Sequence, residues 1–318
     1  MRYFRLAPVF RAAQQSAPFP LPMMRLLAVL LALTPVTSAL AQLPSTPPAA
    51  TGASAPAAWE NPLKKLLREG KPVIGMTVTV ISADVVLQAA RVGFDFVWIE
   101  MEHSPITLET ARNRVLATQG TGLIPIIRVP VNELWTAKRA LDCGALGAVF
   151  PFTSNPELAR QAVAACKYPP LGRRGAGAGL PTMRWPAPNG YPEFADQNAL
   201  VITIIEEKRA VDQIDAILET PGIDVVFIGV NDLSYSYGDR GKQTPQVKAA
   251  IAKIVSAAKK RGLHVGRPAG AAEIKGFLAE GFQFFQASSE LGFIAVGAQP
   301  VLDALGKTAP DRAHRPLY

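Results

Sequence analysis

The chain has 318 residues, 49% hydrophobic and 18% charged, enough apolar content for one large core. Its formal net charge is +8, but four of those positive charges are Arg2, Arg5, Arg11 and Arg25, in a stretch to residue 41 that has no acid, which leaves +4 beyond it. A mild excess without Lys/Arg blocks or interleaved aromatics excludes nucleic acid as a predicted partner, and no apolar run of ~20 residues past position 45 predicts a membrane span.

Taken in order, the first element is a leader. Basic residues followed by LLAVLLALTPVTSALA, closing on Ala39-Leu40-Ala41, predict a secretory signal over residues 1–41 with cleavage before Gln42. The mature protein is then expected to be periplasmic or secreted, with no membrane attachment. Met23 or Met24 is an alternative start, which would leave residues 1–22 untranslated. A retained anchor is the rival reading, opposed by the shortness of the apolar run and by Pro35 within it. Residues 42–58, rich in Pro, Ala, Ser and Thr and without charge, predict a flexible linker. The folded part is expected over 59–306 and a C-terminal tail over 307–318. NPLKKLLREG predicts a short helix closed by Gly70.

From Lys71 onward, β-rich runs alternate with helical patterns. Strands are predicted at 73–81, 94–100, 124–129, 147–152, 200–206, 224–229, 264–268 and 282–287. Helices are predicted at 83–92, 107–119, 132–142, 155–167, 208–219, 244–261, 270–280 and 292–305. Continuous apolar strands, each followed by an amphipathic helix, indicate an α/β fold with a parallel sheet. Eight such units predict a closed (β/α)8 TIM barrel rather than an open doubly wound sheet. No Gly-x-Gly-x-x-Gly follows the first strand, which counts against dinucleotide binding. Residues 168–199, with Arg173, Arg174 and Trp185, are a connection out of scale. Such long connections predict a lid or an interface segment, a solvated excursion being the alternative. Cys143 and Cys166 lie in apolar helical patterns and are expected as packed free thiols.

In such a barrel the chemistry sits at the C-terminal ends of the strands. The second predicted strand runs into Glu100, Met101, Glu102 and His103; the third reaches Arg128; the fifth ends in Glu206 and Glu207; the sixth leads to Asn231 and Asp232. Glu206 and Asp232, from neighbouring strands, suit a hard divalent cation such as Mg2+ or Mn2+, with other positions left to water and substrate oxygens. Co2+ or Zn2+ stays open, although three His and no Cys–His spacing give a zinc cluster little support. A 2-oxo acid could chelate such an ion, which would act as a Lewis acid on the enolate formed as the bond breaks. Arg128 is expected to stabilise the enolate oxygen and His103 to exchange a proton with the substrate hydroxyl. Each residue also has a bland reading: His103 packing a loop, Arg128 pairing with a strand-end acid, Asp232 capping a helix. Glu207 and Lys208 read as the solvated start of a helix.

The stretches GFDFVWIEMEHSP, PIIRVP, ALDCGALGAVFPF, YPPLGRRG, IIEEKRAV and PGIDVVFIGVNDLS occur in this order. With them the chain resembles the HpcH/HpaI aldolase family of the phosphoenolpyruvate/pyruvate barrel superfamily, over residues 61–306. The resemblance implies divalent-metal-dependent cleavage of 4-hydroxy-2-oxo acids to pyruvate and an aldehyde. It implies His103 as the catalytic histidine, Arg128 as the enolate-stabilising arginine, and Glu206 and Asp232 as the metal carboxylates. Glu102 would orient metal-bound water, and the backbone around Asn231 would meet the substrate carboxylate. Asp142, in LDCGA, matches an aspartate that raises the basicity of the histidine. Its place at the end of a helix, on the rim away from the site, means that it either leaves the helix early or reaches a neighbouring subunit's histidine. The resemblance further implies a homo-oligomer, often with the last helix exchanged between subunits. Two departures bear on specificity: Ile204 stands where many members have Gln, and Glu290 where Asp is common. The competing readings are an acyl-CoA lyase of the citrate-lyase β-subunit type and an exported oxo-acid-binding protein without turnover.

Overall fold

The computed structural model describes residues 59–177 and 179–307. The predicted leader and linker, and the tail from residue 308, lie outside the described residues. Eight strands carry the fold: β1 (Val73–Val78), β2 (Phe96–Glu100), β3 (Ile124–Arg128), β4 (Gly147–Phe150), β5 (Leu200–Ile205), β6 (Val225–Ile228), β7 (His264–Pro268) and β8 (Phe284–Ser289). They pair in parallel in chain order, and β1 closes on β8. The predicted TIM barrel is the barrel observed. The first strand is shorter than expected, because the N–H groups of Thr79 and Val80 turn to the Glu290 carboxylate, at 2.8 and 2.7 Å, instead of to a neighbouring strand.

Alternation along the strands divides the core in two. Phe96, Trp98, Ile126, Ile202, Phe227 and Phe284 fill the barrel, while Val97, Ile99, Ile127, Val226 and Phe285 pack outward under the helices. The interior is built on rings: Phe96 stacks on Phe284 at 4.6 Å between centroids, and Trp98 meets Phe227 at 5.0 Å. Gly75 makes room for this, since a Cβ there would stand 2.1 Å from the Phe96 ring. Side chains of Ser82, Thr107 and Asn155 cap the helices Ala83–Val92, Leu108–Ala117 and Pro156–Cys166 by accepting from backbone N–H groups. The helix predicted over 208–219 is two short ones, Lys208–Asp212 and Ile214–Leu218. Cys143 and Cys166 are buried and unbridged.

The connection 168–199 is not a lid. It contains the helices Gly179–Thr182 and Tyr191–Asn198, and Trp185, Tyr191 and Phe194 join Leu63, Leu67, Val73 and Leu200 in the inner cluster. The Trp59 ring sits 5.2 Å from Trp185 and 5.4 Å from Phe194. The Asn61 side chain donates to the Asn198 carbonyl at 2.8 Å, and the Asn61 N–H to the Asn198 side chain at 2.7 Å. The segment therefore closes the end where the strands begin. Its aromatic residues are there because that end needs an apolar plug. The last helix, Glu290–Ala304, is the opposite case: only Glu290 is buried, and Leu291, Phe293, Ile294, Val296 and Val301 are exposed. Among the described residues no helix is long and apolar enough to cross a membrane.

Candidate active site

The C-terminal ends of β2, β3, β5 and β6 bring acids around one arginine. Glu100 and Arg128 are register partners across β2 and β3, so both side chains point up the same interior face. Arg128 Nη1 lies 3.4 Å from Glu100 Oε2, and Nη2 pairs with Glu102 and lies 3.9 Å from Glu206 Oε2. One guanidinium thus serves three carboxylates. His103 Nε2 lies 3.7 Å from Glu102 Oε2, at the open side of the group.

Local structure explains each placement. Glu100 is fully buried and accepts from Trp98 Nε1 at 3.1 Å, Glu102 N at 2.8 Å and His103 N at 3.1 Å. It folds the loop after β2 back over the barrel, and so aims Glu102 and His103. Glu206 follows β5 and accepts from Phe152 N at 2.6 Å. Phe152 reaches that position with φ of 49°, a left-handed conformation uncommon outside glycine. Gly229 lets β6 approach: a Cβ there would lie 2.7 Å from Glu206 Oε2. Asp232 stands in the first turn of the helix Val230–Ser236.

Burial, against which Arg128 works, pushes Glu102 up to about 7, and Glu100 and Asp232 add to the rise. Burial also pushes Glu206 up to about 8, with the Phe152 N–H bond and Arg128 opposing and Glu102 and Asp232 adding. Asp232 therefore acts on both glutamates, which puts the three acids in one field. Glu102 Oε2 is buried, with the Arg128 guanidinium as its ion-pair partner. A divalent cation suits this set: hard oxygen donors, and more carboxylates than the one guanidinium can neutralise. Among the described residues no three His, Cys, Asp or Glu side chains converge as a ready-made metal cage.

The remaining site residues divide. Asn231, beside Asp232, is exposed and turned toward Gly241, its Oδ1 3.3 Å from where a Cβ on that glycine would stand. Asp142, at the end of the helix Leu134–Asp142, pairs instead with the buried Arg174 at 2.8 Å. Its described contacts within the chain are with that arginine, not His103. Two residues given no role from sequence matter here. Glu100 holds the His103 loop, and Glu290 clamps the chain after β1 through Thr79 and Val80, the Thr79 hydroxyl donating at 2.6 Å. Glu100 was visible as a strand-end acid, but its four donors come together only in the fold.

The profile of the HpcH/HpaI aldolase/citrate lyase family matches residues 74–295. The chain is 34% identical over 249 residues to a 2-dehydro-3,6-dideoxy-6-sulfogluconate aldolase of Pseudomonas putida, covering 77% of this chain and 97% of that one. A hydroxypyruvate/pyruvate aldolase of Roseobacter denitrificans is 36% identical over 197 residues, covering 61% of this chain and 77% of the relative. Among solved structures, an HpcH/HpaI aldolase/citrate lyase family protein from Burkholderia cenocepacia J2315 superposes with a TM-score of 0.72 at 30% identity, over 77% of this chain and 99% of that one. Barrel, rim of acids and relatives agree: the chain belongs to the HpcH/HpaI aldolase/citrate lyase family and is a carbon–carbon lyase of the aldolase kind.

Proposed function

We propose that the protein cleaves 4-hydroxy-2-oxo acids to pyruvate and an aldehyde with a divalent cation, Mg2+ or Mn2+. The carrying observation is the field shared by Glu102, Glu206 and Asp232 around Arg128, with His103 at its edge. Glu206 and Asp232 would hold the cation, which when bound supplies Lewis-acid polarisation of the 2-oxo group. His103 takes the proton of the C4 hydroxyl as the C3–C4 bond breaks and the aldehyde forms. The electron pair of that bond passes into the C2–C3 bond, and the enolate oxygen meets the Arg128 guanidinium. Return of a proton to C3 gives pyruvate. The backbone at Asn231 meets the substrate carboxylate.

The test is pyruvate release from 4-hydroxy-2-oxo acids with Mg2+ or Mn2+, repeated after chelation. Release that stops on chelation supports the reading; substrate binding without release in either state would make the protein a non-catalytic receptor. A panel of aldehydes with pyruvate as donor then finds the second substrate. Export belongs to the same proposal, on the strength of the basic start, the apolar run and Ala39-Leu40-Ala41. It is tested by N-terminal sequencing of the mature protein, expected to begin at Gln42. So does homo-oligomerisation, supported by the exposed apolar side of the helix Glu290–Ala304.

A further inference from the structure

Outside the barrel, a cleft of about 770 Å3 lies between the helices Pro245–Lys260 and Ile274–Glu280. One of its walls is Arg267, which β7 points outward and which is only 4% exposed. The guanidinium carbon lies 3.6 Å from the centre of the Phe277 ring and 5.3 Å from that of Phe282. These rings hold the planar group by its face. Its hydrogen bond is from Nε to the Pro268 carbonyl at 3.4 Å; Glu273 and Glu280 act on it through space, but among the described residues no carboxylate forms an ion pair with it. Lys248, Lys259 and Lys260 line the same cleft, where Glu280 is the one acid. Lys259 Nζ donates to the main-chain oxygen of Glu280 at 2.7 Å.

A buried guanidinium whose neighbouring acids, Glu273 and Glu280, act on it without pairing with it is costly, and its fork matches two oxygens of one anion. We propose that this cleft binds a small anion bearing a phosphate or carboxylate group, gripped by Arg267 and attracted by Lys248 and Lys260. The volume falls within the ~300–1,000 Å3 usual for small-molecule sites, and a flat contact between copies would not need a deep cation. The inference does not rest on the aldolase mechanism, because none of its residues belongs to the rim of β2, β3, β5 and β6.

The test is calorimetric titration of the full chain with inorganic phosphate and, separately, with tricarballylate. Saturable binding of either is expected. Phosphate alone assigns a phosphate-bearing ligand, tricarballylate alone a carboxylate one, and both the shared oxyanion. Lys248→Glu/Lys260→Glu should weaken binding by ~10-fold or more, whereas Lys253→Glu, on the same helix but outside the cleft, changes it by less than about twofold. Arg267→Gln should abolish it; if that variant does not fold, Lys248→Glu/Lys260→Glu carries the test. Four results overturn the proposal: no binding of either probe; binding lost in Arg128→Ala but kept in Lys248→Glu/Lys260→Glu; equal weakening by Lys253→Glu; or a changed sedimentation coefficient in ligand-free Lys248→Glu/Lys260→Glu, which would make the cleft a contact between copies.

Discussion

Glu206 and Glu102 carry protons that an exposed glutamate would have lost. Their values rise from 4.5 to about 8 and about 7 because burial disfavours the charged form. In the metal-free protein the folded state then holds protons that the unfolded chain releases near 4.5. This stabilisation is whole below that value and is lost as pH rises through about 8. The thermal midpoint of chelated protein should therefore fall between pH 5 and 8, with a shallower fall in Glu206→Gln. A cation held at the proposed site would compete with those protons, so its affinity should run the other way and tighten over the same range. Titrating Mn2+ calorimetrically at several pH values checks this; an affinity independent of pH would remove Glu206 from the metal. Glu100 invites a different experiment. Glu100→Gln leaves the pocket its shape but loosens Arg128 and the His103 loop, so kcat should drop by ~10²-fold with KM little changed. Steady-state kinetics decides, and a wild-type kcat would mean that the loop holds itself.

At the scale of elements, Asp142 and Arg174 tie the helix Leu134–Asp142 to the connection that follows the helix Pro156–Cys166. The arginine side chain is 0% exposed, so Asp142→Ala strands a buried charge and should cost ~3 kcal/mol in a denaturant melt. Asp142→Asn keeps an acceptor and should cost less. An unchanged pH–rate profile in that variant would leave Asp142 a structural partner of Arg174 rather than a helper of His103. This pair also marks where reading the sequence stops. Strand order, closure and the rim of acids were legible, because parallel strands buried on both faces announce themselves as apolar runs and chain order fixes which ends meet. The connection 168–199 was not, since Trp185, Tyr191 and Phe194 are spaced without period and find their place only against Trp59 and the barrel floor. The weight resting on Glu100 was hidden for a related reason: three of its donors are local, but the fourth, Arg128, belongs to the next strand.

At the scale of the whole molecule, the surface carries an apolar face on the helix Glu290–Ala304, whose Phe293, Ile294, Val296 and Val301 are exposed. With Met76, Val85, Val92 and Phe94, Phe293 and Ile294 also line a hollow of about 670 Å3 beside the helix Ala83–Val92. Ile294→Glu should give a smaller species in analytical ultracentrifugation if copies cover each other there; an unaltered sedimentation coefficient would free the helix from that role. The Glu290 carboxylate that starts this helix also fixes Thr79 and Val80 at the mouth of the barrel. If copies pack on this helix, mass action reaches the catalytic end of the fold: diluting the enzyme should lower its melting temperature and slacken the strand-end loop together.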